Sequence, residues 1–153
     1  MSIEATLADL GVTLPDAAAP AANYVPYVVV GDMVYVSGQI SQDENGFIIG
    51  KLGDTMDVEA GQAAAKTCAI SLLSQVKAAC WGDIDRLVRV VKLTAFVNST
   101  QEFGDQPKVV NGCSDFLVAA LGDDMGPHAR SAVSAASLPF GVAVEIEGIF
   151  QIK

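Results

Sequence analysis

Between Lys108 and Lys153 the chain has a single lysine or arginine, Arg130. It lies in "PHARSAVSAASLPFGVAVEIEGIF", residues 127–150, a stretch that otherwise reads as core and turn. A guanidinium fork matches a carboxylate in bidentate geometry, so an arginine in such surroundings is suited to an anionic metabolite. In "RSAVSA" a strand period of two puts Arg130, Ala132 and Ser134 on one face, with small side chains leaving room for a guest beside the charge. In "VEIEGIF" the same period sets Glu145 and Glu147 together, roughly 7 Å apart along the strand, opposite Val144, Ile146 and Gly148. If the two strands pair as a hairpin, at least one glutamate comes near Arg130, where it can orient or deprotonate a water. An ion pair across a strand or subunit boundary is the competing reading. Such a pair is weak evidence of stability, because desolvation of both charges offsets their attraction.

Other polar groups are weaker candidates. Tyr24 in "NYVPY" and Ser37 in "VSGQ" offer hydroxyls, and strand positions of this kind more often pack than react. His128, preceded by Pro127, reads as a solvated or capping residue of a turn. No GxSxG, Walker loop or GxGxxG is present. Cys68, Cys80 and Cys113 are odd in number and widely spaced, which predicts free structural thiols in a reducing compartment. With one histidine and no CxxC, no metal site is expected.

The elements that must position these residues follow from local signals. Ser2 caps a short helix closed by Gly11, and "TLPDAAAPAAN" reads as an irregular connector. "YVPYVVV" and "MVYVSGQI" flank Gly31-Asp32 as two strands of a tight hairpin, with Val34, Val36 and Gly38 on one face and Tyr35, Ser37 and Gln39 on the other. Asn45-Gly46 marks a turn before a short edge strand at 47–49. Asp57 caps a long helix ending at Gly82, with Val58, Gly61, Ala65, Cys68, Leu72, Val76 and Ala79 facing a sheet. A buried strand covers 87–97, and Asp105 with Pro107 opens a helix stopped by Gly122. Strands at 131–136 and 144–152 are hinged at Leu138–Gly141. The sum is one α+β domain over residues 1–153, a sheet with two helices packed on one face, preceded by a helix and connector at 1–22.

Composition limits the partners. The chain has 153 residues, 51% of them hydrophobic, enough for one core. Nine Lys+Arg against 18 Asp+Glu give a formal charge of −9, which repels phosphate backbones and anionic membrane surfaces. No apolar stretch approaches the roughly twenty residues that span a bilayer, and the first fifty residues lack the lysine or arginine a targeting peptide requires. A soluble, cytoplasmic protein without nucleic-acid or membrane partners is expected.

Three segments then carry a resemblance over most of the chain, from about Asn23 onward. "YVSGQIS", "VVKLTAFVNSTQEFGDQPKVVN" and, most specifically, "HARSAVSAASLPFGVAVEIEGIF" resemble signatures of the RidA/YjgF family of enamine/imine deaminases. The resemblance implies a chorismate-mutase-like α+β fold assembled as a homotrimer with ligand clefts at the subunit interfaces. It places Arg130 on the arginine that binds the substrate carboxylate and Glu145 on the glutamate that positions water, these two being the catalytic pair. It places Tyr24, Ser37, Asn111 and Ala132 at substrate-binding positions, with Glu147 left as a structural carboxylate. The implied reaction is hydrolysis of small 2-imino or 2-enamino acids to 2-keto acids and ammonia, with no cofactor. Many active members carry a cysteine where this chain has Ala132, and the loop "ALGDDMGPHA" is longer and more acidic than in short members. Both differences bear on substrate choice, and a non-catalytic carboxylate-binding trimer or an endoribonuclease are the alternatives.

Overall fold

The computed structural model describes residues 1–20 and 22–153. Its elements run in chain order α1 (Ile3–Asp9), β1 (Tyr27–Val30), β2 (Met33–Ile40), β3 (Gln42–Asp43), β4 (Gly46–Phe47), α2 (Val58–Ala79), β5 (Leu87–Asn98), α3 (Gln106–Leu121), β6 (Ala129–Ala135) and β7 (Val144–Ile152). One-turn 3₁₀ segments lie at Ile84–Arg86 and Pro139–Gly141. The caps form where short oxygen-bearing side chains precede the helices. Ser2 Oγ accepts from Ala5 N and the Asp57 carboxylate from Ala60 N, each satisfying one of the orphan donors of the first turn. Asp105 stands at the cap of α3 without a side-chain cap bond, and Pro107 in the first turn needs no donor partner.

The main sheet has five strands in the order β1-β2-β7-β5-β6, and β3 and β4 form a separate two-stranded ribbon. The expected edge strand at 47–49 is thus replaced by β3 and β4, with Ile49 making only an isolated bridge to Val142. Burial alternates along β7, where Val144, Ile146 and Phe150 are fully buried and Glu147 is exposed. Helices α2 and α3 cover that one face. Leu7 of α1 enters the same core, and Ile3 N donates to the Asp85 carboxylate, so the N-terminal helix is docked rather than appended.

Three further sequence expectations change. First, β6 and β7 form no hairpin: β6 pairs parallel to β5, and β7 pairs antiparallel to the other side of β5. Helix α3 returns the chain to the start of β5, so the strand after it runs parallel, as a β-helix-β crossover requires. The linker after β6 then passes over the end of β5, where Asn98 donates to Ala143 O from its backbone N–H and to Val142 O from its side chain. Second, the register of β2 against β7 shifts between Val36 and Gln39, a bulge that turns Gln39 inward, where it is buried, and Gly38 outward beneath Glu145. Third, the strand expected at 131–136 begins earlier, at Ala129.

The helix pair depends on a backbone contact. A Cβ at Gly112 of α3 would stand 2.1 Å from the Gln62 carbonyl oxygen of α2. Gly112→Ala is therefore expected to force the helices apart and cost about 1–3 kcal/mol, read as a lower melting temperature by circular dichroism. A melt unchanged from wild type would show that the interface can yield at no cost.

Candidate functional site

The crossover puts Arg130 and Glu145 on opposite faces of one sheet. Arg130 shares a row with Leu93, which is fully buried under the helices, while Glu145 shares a row with Phe96 on the uncovered face. Strand β5 separates them, about 10 Å across the sheet, and the rows lie about 10 Å apart along it (93 against 96). The expected approach of Arg130 to a glutamate within the chain is therefore corrected. The ion pairs among the described residues are Lys77 with Glu4 and Lys108 with Asp105, and neither includes Arg130.

Two separate candidate clusters result. The first lies at the sheet edge, between β6 and α3. Arg130 Nη1 donates to Ser114 Oγ at 3.0 Å and Nη2 to Pro107 O at 3.2 Å. Asn111 falls on the same stripe of α3 as Pro107 and Ser114, and Ala132 follows Arg130 on the same strand face. Ser134, next on that face, bonds Ser99 Oγ at 2.7 Å and closes the row. Guanidinium, amide and small side chains thus share one edge, with the charge held by neutral acceptors. Nearby Cys113 is a thiol that burial pushes up to about 12, with Arg130 opposing the shift, so it stays protonated and inert.

The second cluster lines a cleft of about 510 Å³, with Tyr24, Gly38, Phe47, Phe140 and Glu145 among its residues. Phe47 and Phe140 stack at 4.9 Å, and Phe140 holds a left-handed backbone, φ 60°, in the 3₁₀ turn. Ser37 does not point into open space: its Oγ donates to Val25 O at 2.8 Å and its N–H to Pro26 O, which ties down the segment after Tyr24. Burial, with the Glu147 carboxylate second, raises the Glu145 carboxyl above its ordinary value. A half-buried carboxyl poised in this way is suited to exchanging a proton with a bound water.

Gly38 is what admits the carboxyl. A Cβ there would stand 3.0 Å from Glu145 Cδ and 3.2 Å from its Oε1. Gly38→Ala is expected to swing the carboxyl aside, leaving the fold in place and reducing any reaction that uses Glu145 by roughly tenfold or more, since small misplacements of reacting groups are costly. Activity equal to wild type with an unchanged melt would remove Glu145 from the machinery.

Two residues carry more than the sequence suggested. His128, read as a turn residue, bonds Ser114 Oγ through Nε2 at 2.9 Å and Gly126 O through Nδ1 at 2.7 Å. Ser114, which has no functional signature in the sequence, links His128 to Arg130. The only hint in the sequence was its spacing from Asn111 on one helix face. Among the described residues no group of three His, Cys, Asp or Glu side chains is placed to hold a metal, and no helix is long and apolar enough to cross a membrane. All three cysteines are free and buried.

Comparison with known proteins places the chain in a family. The family model described as Endoribonuclease L-PSP matches residues 14–152. Protein TCP17 of Trypanosoma cruzi is 48% identical over 152 residues, covering 99% of this chain and 94% of that protein. A 2-iminobutanoate/2-iminopropanoate deaminase of Dermatophagoides farinae is 31% identical over 144 residues, covering 93% of this chain and 95% of that protein. The crystal structure of protein Atu1372 from Agrobacterium tumefaciens superposes with a TM-score of 0.91 at 45% identity, covering 99% of this chain and 92% of that one. With its mixed α+β fold and its C-terminal "HARSAV…EIEGIF" segment, the chain belongs to the Endoribonuclease L-PSP family, also known as RidA/YjgF.

Proposed function

We propose that the chain hydrolyses small 2-imino or 2-enamino acids to 2-keto acids and ammonia, at clefts formed between copies in a homotrimer. The observation that carries this reading is the separation itself. A guanidinium without a carboxylate partner sits on one face and edge, and a carboxyl raised by burial sits on the other face, so only a neighbouring copy can bring the two kinds of half-site together. The uncovered sheet face supports association, because Val28, Tyr35 and Val133 are each 45–48% exposed there.

In the proposed cleft Arg130 of one copy binds the substrate carboxylate beside Asn111 and Ala132. Glu145 of the next copy, with Tyr24 and the segment tied by Ser37, faces the imine carbon. Glu145 orients a water and accepts its proton as oxygen bonds to that carbon. The C–N bond then breaks, ammonia leaves with the protons it has gathered, and the C=O of the keto acid remains. Substrate, water and products balance without an oxidant or reductant, and a protonated imine is already electrophilic, so positioning supplies most of the catalysis. The experiment is competition between the enzyme and semicarbazide for 2-iminobutyrate generated in situ by a dehydratase, with wild type and Arg130→Ala run together.

Ala132, where many family members carry cysteine, favours a second reading, a trimer that binds small carboxylates without turnover. Calorimetric binding of 2-oxobutyrate with no acceleration of imine hydrolysis would select it. An endoribonuclease is opposed by the charge of −9, which repels RNA.

A further inference from the structure

Arg130 is held in an unusual way for a stabilising arginine. The guanidinium's two partners, the Ser114 hydroxyl and the Pro107 backbone carbonyl, are both neutral, so it is oriented without being neutralised, and three of its five N–H donors remain. The direction of the chain beyond Ser114 is fixed by one group. Gly126 O can only accept, so His128 Nδ1 carries the proton, and in the neutral ring Nε2 must accept. Ser114 Oγ–H therefore donates to His128 Nε2, which turns its lone pairs toward Arg130 Nη1. The far end of the chain is anchored in packed backbone: a Cβ at Gly126 would stand 2.6 Å from Val118 Cα, and Gly126 N donates to Gly122 O at the end of α3. Arg89 Nη2 donates to Pro127 O at 2.8 Å and braces the same loop.

We propose that Ser114 and His128 are positioning residues for carboxylate recognition, a hydrogen-bonded relay from Gly126 O to Arg130 that presets the guanidinium fork before the substrate arrives. This inference rests on the reading of Arg130 as the carboxylate anchor. The physical gain is pre-organisation. A free arginine side chain samples many rotamers, and fixing it during binding weakens affinity, whereas a fork fixed in advance avoids that loss. The histidine is needed as well as the serine. Without an acceptor at Nε2, the Ser114 hydroxyl is free to bond back to a carbonyl of its own helix, one turn earlier, and its lone pairs turn away from the guanidinium.

The test is calorimetric titration of the assembled protein with 2-oxobutyrate, together with KM and kcat for 2-iminobutyrate, in Ser114→Ala, Ser114→Thr, His128→Gln and Arg130→Ala. Ser114→Ala and His128→Gln are expected to weaken 2-oxobutyrate binding and raise KM by about tenfold each, with kcat nearly unchanged. Ser114→Thr, which restores the hydroxyl, is expected to recover most of the affinity. Equal melting temperatures across the set exclude a folding defect, and the threonine rescue does so independently. Loss of binding in Arg130→Ala with wild-type affinity in Ser114→Ala and His128→Gln would overturn the relay and leave the anchor standing. Wild-type affinity in Arg130→Ala would overturn the anchor itself, and the relay with it.

Discussion

Arg130→Ala is expected to lower kcat/KM for 2-iminobutyrate by on the order of 100-fold or more while leaving the proposed assembly and its melting temperature intact. The size of the loss follows from the bond type. Two charge-assisted hydrogen bonds to a carboxylate contribute about 1.5–3 kcal/mol each, and each 1.4 kcal/mol is a factor of ten. The preserved fold follows from the partners. Arg130 is half-buried on an edge strand, forms no ion pair, and its removal frees only Ser114 Oγ and the Pro107 carbonyl, neither of them a charge. Arg130→Lys is expected to fall between, since it keeps the charge and loses the fork. The semicarbazide competition gives the rates, and size-exclusion chromatography with light scattering gives the assembly. Full activity in Arg130→Ala would end the deaminase reading in this form, and loss of activity together with collapse of the assembly would make Arg130 a structural residue.

Much of the frame could be read from the sequence because its signals are local. Ser2 and Asp57 name the caps, Gly31-Asp32 names the hairpin, and the apolar positions of α2 from Gly61 to Ala79 name its buried face. Pairing order is not local. "SLPFG" is short enough for a hairpin, yet β5, α3 and β6 form a strand-helix-strand unit whose handed crossover decides that β6 lies beside β5. That unit is visible in the sequence, and its crossover outweighs the short linker. The bulge in β2 has no comparable signature, because "SGQ" alternates regularly and only the partner strand shows that Gln39 turns inward. His128 and Ser114 stayed hidden for a different reason. A hydrogen-bonded chain across a loop and a helix depends on where the loop docks, and the Gly126 contact that docks it has no periodic pattern in the sequence.

Glu145→Gln is expected to reduce kcat by about 100-fold or more with little change in KM, the amount a positioned proton acceptor contributes. The glutamine fills the same space over Gly38 and makes no charge, so the proposed binding through Arg130 is untouched. The wild-type rate must fall on the acid side as Glu145 takes up a proton. The glutamine variant flattens that fall; in the single chain burial, with Glu147 second, raises the Glu145 carboxyl above its ordinary value. Stability runs with the opposite sign. A carboxyl whose folded pKa is raised contributes stability below its ordinary pKa and loses it as pH rises through the folded value, so in the unassociated chain Glu145→Gln melts higher than wild type near neutral pH and alike in acid. Association adds a further term. If a neighbour's Arg130 faces Glu145, its charge pulls the carboxyl back down, and removing it in Arg130→Ala must raise the Glu145 pKa in a carboxyl-labelled NMR titration. An unchanged titration in that variant would separate the two residues and exclude the shared cleft.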